Sequence, residues 1–146
     1  MPARTRNADP YLAARFTVEI DGRIIAGFSE VNGLQVEIES EEYQEGGLND
    51  YVHHFSGKVR YPSRIVLKRG FADNRAIWDW QSKVMQGQVQ RKNVSIILQD
   101  EQGSEKARWN VAQALPVKWS GPDFRASAAE VAVETLELVH CGFSRA

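Results

Sequence analysis

Short stretches in which every second residue is apolar recur along this chain. Because successive side chains of a β-strand point to opposite faces, such alternation predicts strands with one face in a core. There are seven stretches of this kind, at residues 16–20, 23–28, 34–43, 64–69, 93–99, 106–119 and 130–140. Asp21-Gly22 separates the first two and is typical of a tight hairpin turn with positive φ. Pro116 lies in the sixth, and because proline donates no ladder hydrogen bond, we expect an edge or a bulge there.

One segment has apolar residues at helical spacing instead. Ile77, Trp80 and Val84 follow at i, i+3 and i+7, which places them on one stripe of a helix. Asp73 is the expected N-cap, and Gly87 is the expected left-handed stop, so we predict one helix over residues 73–86. The predicted fold class is therefore mainly β: a β-sandwich or barrel of six to seven antiparallel strands with one packed α-helix.

Length and composition fit a single domain. Of the 146 residues, we expect 1–14 to form a flexible N-terminal arm and 15–146 to form one domain. A net charge of −1 argues against a dedicated nucleic-acid-binding protein. The single cysteine, Cys141, excludes an intramolecular disulfide and a cysteine-based zinc site. The sequence has no apolar run long enough to span a bilayer and no secretory signal behind the first residues, so we expect no membrane insertion by this chain.

Between the third and fourth predicted strands lies a stretch without clean alternation. A compact domain rarely carries so long a connection unless it has a function, and large apolar groups on a loop favour contact with a partner protein. We therefore predict a long interaction loop whose contacts come from Gly46, Gly47, Leu48, Tyr51, Val52, His53, His54 and Phe55.

Residues with catalytic or metal-binding potential do not form a recognisable constellation. His53 and His54 are adjacent, so on an extended chain their side chains point apart, and we expect neither a metal site nor a cofactor. Two carboxylates of the acidic run that includes Glu37 and Glu39 would suit acid–base catalysis only if an apolar pocket raised one pKa, and the sequence supplies none. The run is interpreted as a solvated strand face or, alternatively, as the lining of a shared channel. We expect no enzymatic activity, and we expect the four tryptophans to serve the core and interfaces.

Several segments, in this order, resemble the phage tail tube protein family. The resemblance covers nearly the whole chain after the N-terminal arm and includes the inner-tube proteins of contractile phage tails and of extracellular contractile injection systems. The segments are FTVEIDG (16–22), AGFSEVNGL (26–34), EYQEGG (42–47), LKRG (67–70), RKNVSIIL (91–98), KARWNVAQALPVKWSGPDF (106–124) and ETLELVH (134–140).

This resemblance implies a structural subunit that forms hexameric rings stacked into a hollow tube inside a contractile sheath. The implied partners are further copies of the chain, a sheath protein, baseplate or tube-initiator proteins, a terminator or cap protein, and DNA or protein cargo passing through the lumen. The particle would be made in the bacterial cytoplasm and become a phage tail or a released extracellular particle. The long loop would then contact the adjacent subunit or ring. If Val36 and Ile38 face the domain core, Glu37 and Glu39 face the lumen.

Three other interpretations remain open from the sequence. The first, within the structural class, is a tube-initiating or baseplate adaptor paralogue. The other two, from different classes, are a small-ligand-binding β-barrel and a hydrolase that uses Glu37 and Glu39. Trp80 and Trp109 favour a filled core over a ligand cavity, and assembly without ligand separates the structural interpretation from the other two.

Overall fold

The computed structural model describes residues 10–13, 15–43, 53–127 and 129–146, and for residues 40–43 and 53–56 the backbone alone. This part of the chain has ten strands and one helix, so the mainly β class is confirmed, with more strands than the six to seven predicted. Residues 10–13 form no helix or strand, and the rest of the predicted arm lies outside the described residues. The elements are β1 (Phe16–Ile20), β2 (Arg23–Ile25), β3 (Phe28–Asn32), β4 (Glu37–Tyr43), β5 (His53–Arg60), β6 (Ile65–Gly70), α1 (Ala76–Met85), β7 (Lys92–Gln99), β8 (Glu105–Ser120), β9 (Val133–Val139) and β10 (Phe143–Arg145).

The main sheet is antiparallel and curls on itself. Its strand order is β2-β1-β7-β8-β9-β6-β3, with β10 on β8. Strands β2 and β3 therefore stand at opposite ends of the sheet, although only Ala26 and Gly27 join them. Three residue steps from Ile25 to Phe28 span about 11 Å at most, so the two edge strands must lie close together. Among the described residues no ladder joins these edges, so the sheet is not a closed barrel.

The concave side of this sheet is filled by side chains. The indole of Trp80 on α1 is 2% exposed and donates to the carbonyl oxygen of Gln90 at 2.8 Å. This filled core is the one that the sequence predicts, although Trp109 is only half-buried. The core cluster joins α1 to both halves of the sheet and comprises Val18, Ile20, Ile25, Ile65, Leu67, Ile77, Trp80, Val94, Ile96, Val111, Ala114, Leu136 and Leu138.

The helix is shorter at its start than the sequence predicts. It begins at Ala76, whose N–H donates to Oδ1 of Asn74 at 2.8 Å, so Asn74 and not Asp73 satisfies a free amide there. The stripe is confirmed, since Ile77 and Trp80 are buried. Gly87 follows with a φ of +89°, the predicted left-handed stop. Within the described residues, no helix has the length and apolar character needed to cross a bilayer.

The start of β3 differs from the prediction. The predicted strand over residues 23–28 is split, because Gly27 has a φ of +91° and breaks the extended backbone. A new strand then begins at Phe28 and pairs with β6, although residues 29–33 lie in none of the predicted strands. By contrast, Asp21 and Gly22 both have positive φ, 55° and 78°, so the predicted tight turn is confirmed.

Strand β8 changes its inward face part-way along. Lys92 and Val94 of β7 lie opposite Ala114 and Val111, two steps on β7 against three on β8, so β8 has an extra residue here. Gln113, with a φ of +54°, lies in this bulge. An extra residue inverts the alternation that follows.

Because of this inversion, the predicted inward face of β8 is wrong beyond the bulge. Unbroken alternation over the predicted strand 106–119 places Leu115 and Val117 on the same face as Val111, but Ala114 and Pro116 are buried there, and Val117 is 41% exposed. A second register shift between Pro116 and Lys118 confirms the bulge predicted at the proline.

Candidate assembly surfaces

The segment predicted as a long loop is in part a strand. Strands β4 and β5 pair antiparallel in a two-stranded sheet of their own, which we name the hairpin. His53, His54 and Phe55 belong to β5, so their assignment to a loop is wrong. Pairing with β4 supplies a ladder that the irregular pattern of these residues does not reveal. The other predicted loop residues, Gly46, Gly47, Leu48, Tyr51 and Val52, lie outside the described residues.

One face of the hairpin is apolar and exposed. Ile38 and Val59 lie directly opposite each other across the two strands, and Val36 precedes Ile38 by two residues on the same side. Their exposed fractions are 55%, 56% and 56%. The condition on which Glu37 and Glu39 are assigned to the lumen, that Val36 and Ile38 face the domain core, is therefore not met within the subunit, because the hairpin is a separate sheet and both residues are exposed. An isolated two-stranded hairpin is marginally stable in water, and an exposed apolar face of this kind marks an interaction surface.

The opposite face of the hairpin is charged. Glu37 lies across from Arg60, and the Arg60 guanidinium donates to the Glu39 carboxylate at 2.8 Å. Both glutamates are exposed. The register opposes Glu37 to Ile38, and the bond from Arg60 joins Glu39 to the charged face, although the register shifts between Ile38 and Ser40. The direction in which this face points in a tube stays a prediction.

The base of the hairpin is held by close backbone packing. Gly33 has a φ of +101°, and its carbonyl oxygen accepts from the N–H of Gln35 at 2.8 Å. A Cβ on Gly33 would lie 1.9 Å from the carbonyl oxygen of Arg64. Ser63 donates from Oγ to Oε1 of Gln35 at 2.5 Å. The two chain segments that enter and leave the hairpin are therefore in contact at its base.

A second surface is a concavity of about 430 Å³, which we name the aromatic notch. Phe71, Trp78 and Trp119 form its apolar walls, and buried Glu134 also borders it. The rings of Trp78 and Trp119 meet edge to face with centroids 4.8 Å apart, a favourable geometry for aromatic pairs. The remaining lining residues are Ala72, Asp73, Asn74 and Arg75.

A buried ion pair holds the notch in shape. Arg69 and Glu134 are 2% and 3% exposed, and Nε of Arg69 donates to Oε1 of Glu134 at 2.5 Å. The other carboxylate oxygen accepts from the indole N–H of Trp119 at 3.0 Å. A second guanidinium nitrogen of Arg69 donates to the carbonyl oxygen of Asn74 at 2.6 Å. These bonds connect β6, β8, β9 and the start of α1, so the notch is preformed.

The residues behind the notch are absent from the sequence-based predictions, although a signal for them exists. Arg69 follows Ile65 and Leu67 in strict alternation, and Glu134 precedes Leu136 in the same way. Each charge therefore occupies an inward position of its strand. Two opposite charges at inward positions indicate a buried pair, because an unpaired buried charge is costly.

The described residues contain no group of three or more His, Cys, Asp and Glu side chains placed to hold a metal ion. His140 instead has a structural bond, because its Nδ1 accepts from the N–H of Gly142 at 3.0 Å. Cys141 is exposed.

Comparison with known proteins assigns the family. The model of the T4-like virus tail tube protein gp19 family matches residues 12–144. Curated protein sequences give no match.

Solved structures of contractile particles contain similar chains. A chain in the sheath–tube complex of an extracellular contractile injection system, PVC, in the extended state is 26% identical, with a TM-score of 0.83 over 95% of this chain and 93% of that one. A chain in the six-fold symmetrised baseplate of the anti-feeding prophage (AFP) is 26% identical, with a TM-score of 0.81 over 95% and 97% of the two chains. A chain in the tube-terminating cap of AFP is 26% identical, with a TM-score of 0.83 over 94% and 91%.

The family model covers nearly the whole described chain, and the curled sheet with its packed helix superposes on chains of tube-containing particles. The chain therefore belongs to the T4-like virus tail tube protein gp19 family.

Proposed function

We propose that this chain is a structural subunit of the inner tube of a contractile tail or injection system. Six copies form a ring, and the rings stack around a lumen that conducts DNA or protein cargo. The observation that carries this proposal is the family match over residues 12–144. A similar chain in a six-fold symmetrised baseplate supports the ring size. The subunit has no catalytic role in this proposal.

The partners of the subunit follow from the particles in which similar chains occur. These are a sheath–tube complex, a baseplate and a tube-terminating cap. We expect the sheath protein, the baseplate or initiator proteins and the cap protein to contact this chain. In this proposal the subunit is made and assembled in the bacterial cytoplasm, with residues 15–146 as the single folded domain and residues 1–14 as a flexible arm.

The hairpin is the proposed contact element between subunits. Its apolar face, Val36, Ile38 and Val59, has no partner within the described subunit large enough to bury it. In a tube this face packs on an adjacent subunit, and Leu48, Tyr51 and Val52 contribute further contacts between subunits. Contact between unlike patches of identical subunits gives rings or filaments, which matches a tube.

Electron microscopy of the purified chain tests this assembly. We expect six-fold rings or hollow tubes without any added ligand, and we expect Val59→Asp to abolish them, because burying an unpaired charge costs several kcal/mol. Lys58→Asp is the matched control, since its side chain points to the opposite face of β5 and its effect on ring formation should be small. A chain that stays monomeric even with baseplate proteins present would contradict the proposal.

The tube-initiating or adaptor paralogue is a second candidate. The similarity to a chain in the AFP baseplate structure, with a TM-score of 0.81, supports this second candidate. The same micrographs separate the two roles. A main tube subunit forms stacks of many rings, whereas an initiator stops at one or two rings until a second tube protein is added.

The acidic face of the hairpin is proposed to line the lumen. Six copies of Glu37 and Glu39 would place a negative wall along the path of DNA or acidic cargo, which reduces sticking. We expect Glu37→Lys with Glu39→Lys to leave tube formation intact, because exposed ion pairs contribute only about 0–1 kcal/mol.

Cargo release should change instead. With reversed charge, we expect nucleic acid to be retained in the tube and ejection to slow by about tenfold or more. Glu101→Lys, an exposed reversal in the turn before β8, is the control. Normal ejection from the doubly reversed tube would remove Glu37 and Glu39 from the lumen.

A further inference from the structure

A subunit that contacts its neighbours head to tail needs two different complementary patches on the same chain. The apolar face of the hairpin is one patch, and the surface of the neighbouring subunit that accepts it is the other. The inference rests on the proposed tube function and specifies which surface of the second copy the hairpin binds.

The described part of the chain offers few concave surfaces for an apolar strand pair. A cleft of about 520 Å³ between the β1–β2 turn and α1 is bordered by charged groups, among them Arg23, Arg75, Asp79, Lys83 and Lys92. Covering these charges with Ile38 and Val59 would remove water from them without replacing its hydrogen bonds, which is unfavourable. A smaller groove that includes Arg64 and His140 lies at the base of the hairpin itself. The hairpin of the same subunit therefore obstructs the approach of a second copy's hairpin to this groove.

The aromatic notch has the properties of an acceptor. Its walls are Phe71, Trp78 and Trp119, and Phe71 is 56% exposed although it is a large apolar residue. The polar groups behind the walls are already satisfied, since both oxygens of Glu134 and the indole N–H of Trp119 have partners. An apolar face that covers the notch therefore leaves these groups paired. Asp73 and Arg75 are the exposed charged residues of its lining, whereas the cleft has six charged residues, so covering the notch costs less desolvation. Tryptophans in preformed, desolvated pockets are enriched among the residues that dominate binding energy.

The notch and the hairpin also belong to different parts of the subunit. The notch is built from the ends of β6, β8 and β9 and from the start of α1, whereas the hairpin pairs with none of these strands among the described residues. We propose that the aromatic notch of one subunit binds the apolar face of the hairpin of a second copy, with Ile38 and Val59 packed against Trp78 and Trp119.

Phe124 is the rival occupant within the chain. It is 88% exposed and lies only five residues after Trp119, so it is the apolar side chain best tethered to reach the notch of its own subunit. The hairpin is favoured because its apolar face presents several residues on two paired strands, whereas Phe124 lies in a segment without helix or strand.

Cysteine cross-linking between two differently marked variants tests the contact in the assembled protein. The background is the full chain with Cys141→Ser, which removes the exposed native thiol. One preparation carries Val59→Cys and another Phe71→Cys, and these two are mixed, assembled and treated with a short bis-maleimide. A third carries Phe71→Cys and Phe124→Cys on the same chain and is treated alone, so that a contact within one subunit is detected. We expect a cross-linked heterodimer from the mixture of Val59→Cys and Phe71→Cys, and no cross-link within the chain that carries Phe71→Cys and Phe124→Cys.

The outcomes separate this inference from the function on which it rests. Tubes that form without the Val59–Phe71 cross-link, or that cross-link through Phe124, overturn the notch as the acceptor and leave the tube function standing. A Cys141→Ser parent that forms no ring under any condition overturns both.

Assembly thresholds provide a second measurement. Trp78→Ala should raise the concentration needed for ring formation by about 30-fold, the size of effect typical of a dominant interface residue. Met85→Ala removes a more exposed apolar side chain from the far end of the same helix, outside the notch, and should change the threshold by less than about threefold. Equal thresholds for the two variants, with both subunits folded by circular dichroism, would overturn the proposal.

Discussion

Arg69→Met lowers the free energy of unfolding of the subunit by about 3–5 kcal/mol. The expectation follows from the position of Glu134, which is 3% exposed and has the guanidinium of Arg69 as its ionic partner. Without Arg69, a buried carboxylate faces an apolar side chain, and the carbonyl oxygen of Asn74 loses a donor. Chemical denaturation of the monomeric subunit, at concentrations below ring formation, measures the loss without a contribution from assembly.

Two variants show whether burial of the charge is the cause. Lys68→Met changes the neighbouring residue of β6, whose ion pair with Glu30 is exposed, and should cost no more than about 1 kcal/mol. Adding Glu134→Gln to Arg69→Met removes the uncompensated charge and keeps an acceptor for the indole of Trp119. We expect that double variant to regain about 1–3 kcal/mol relative to Arg69→Met alone. Equal losses for Arg69→Met and Lys68→Met would show that the pair contributes no more than a surface pair.

The local parts of this fold are readable from sequence. The Asp21-Gly22 turn, the stripe of Ile77 and Trp80 and the stop at Gly87 each depend on residues within one turn or one helix. Propensity and periodicity suffice there, because the interactions that decide the conformation are between near neighbours.

Features that depend on distant pairing are not readable in this way. Strand β5 exists because β4 pairs with it, and its own residues His53 to Phe55 show no alternation to predict it. The inward face of β8 changes at Gln113 because β8 has a bulge there. Strand β7 stabilises this bulge, since Oδ1 of Asn93 accepts from the N–H of Gln113 at 3.2 Å. Neither pairing partner is adjacent in sequence, so a period count along one strand predicts the wrong side chains beyond the bulge.

The candidate surfaces likewise combine features that follow from local strand geometry with features that depend on distant packing. The opposition of Glu37 to Ile38 follows from strand geometry, but the exposure of Ile38 depends on where the hairpin lies relative to the body, which alternation does not specify. The aromatic notch is assembled from the ends of four elements and has no local sequence pattern. The one sequence feature that indicates it is the pair of opposite charges, Arg69 and Glu134, at inward strand positions.

The glycine at the base of the hairpin is the position where a single methyl group should most affect assembly. Gly33→Ala combines two costs. A residue with a Cβ at a φ of +101° is strained by about 1–3 kcal/mol. Its Cβ would also lie 1.9 Å from the carbonyl oxygen of Arg64, and relieving an overlap of that kind by shifting backbone costs about 1–3 kcal/mol more. We therefore expect a loss of about 2–6 kcal/mol in unfolding free energy, measured by denaturation.

Gly27→Ala separates the two costs, because Gly27 has a similar φ of +91° but no atom within 4 Å of the added Cβ. It should show the strain alone. The extra displacement in Gly33→Ala falls between the segments that enter and leave the hairpin, so the hairpin must change direction relative to the main sheet. Ring formation should therefore fail in Gly33→Ala under conditions where the monomer is still folded, while Gly27→Ala still assembles. If the two variants assembled equally well, the base of the hairpin would not control its direction, and the contact between subunits would tolerate a mobile hairpin.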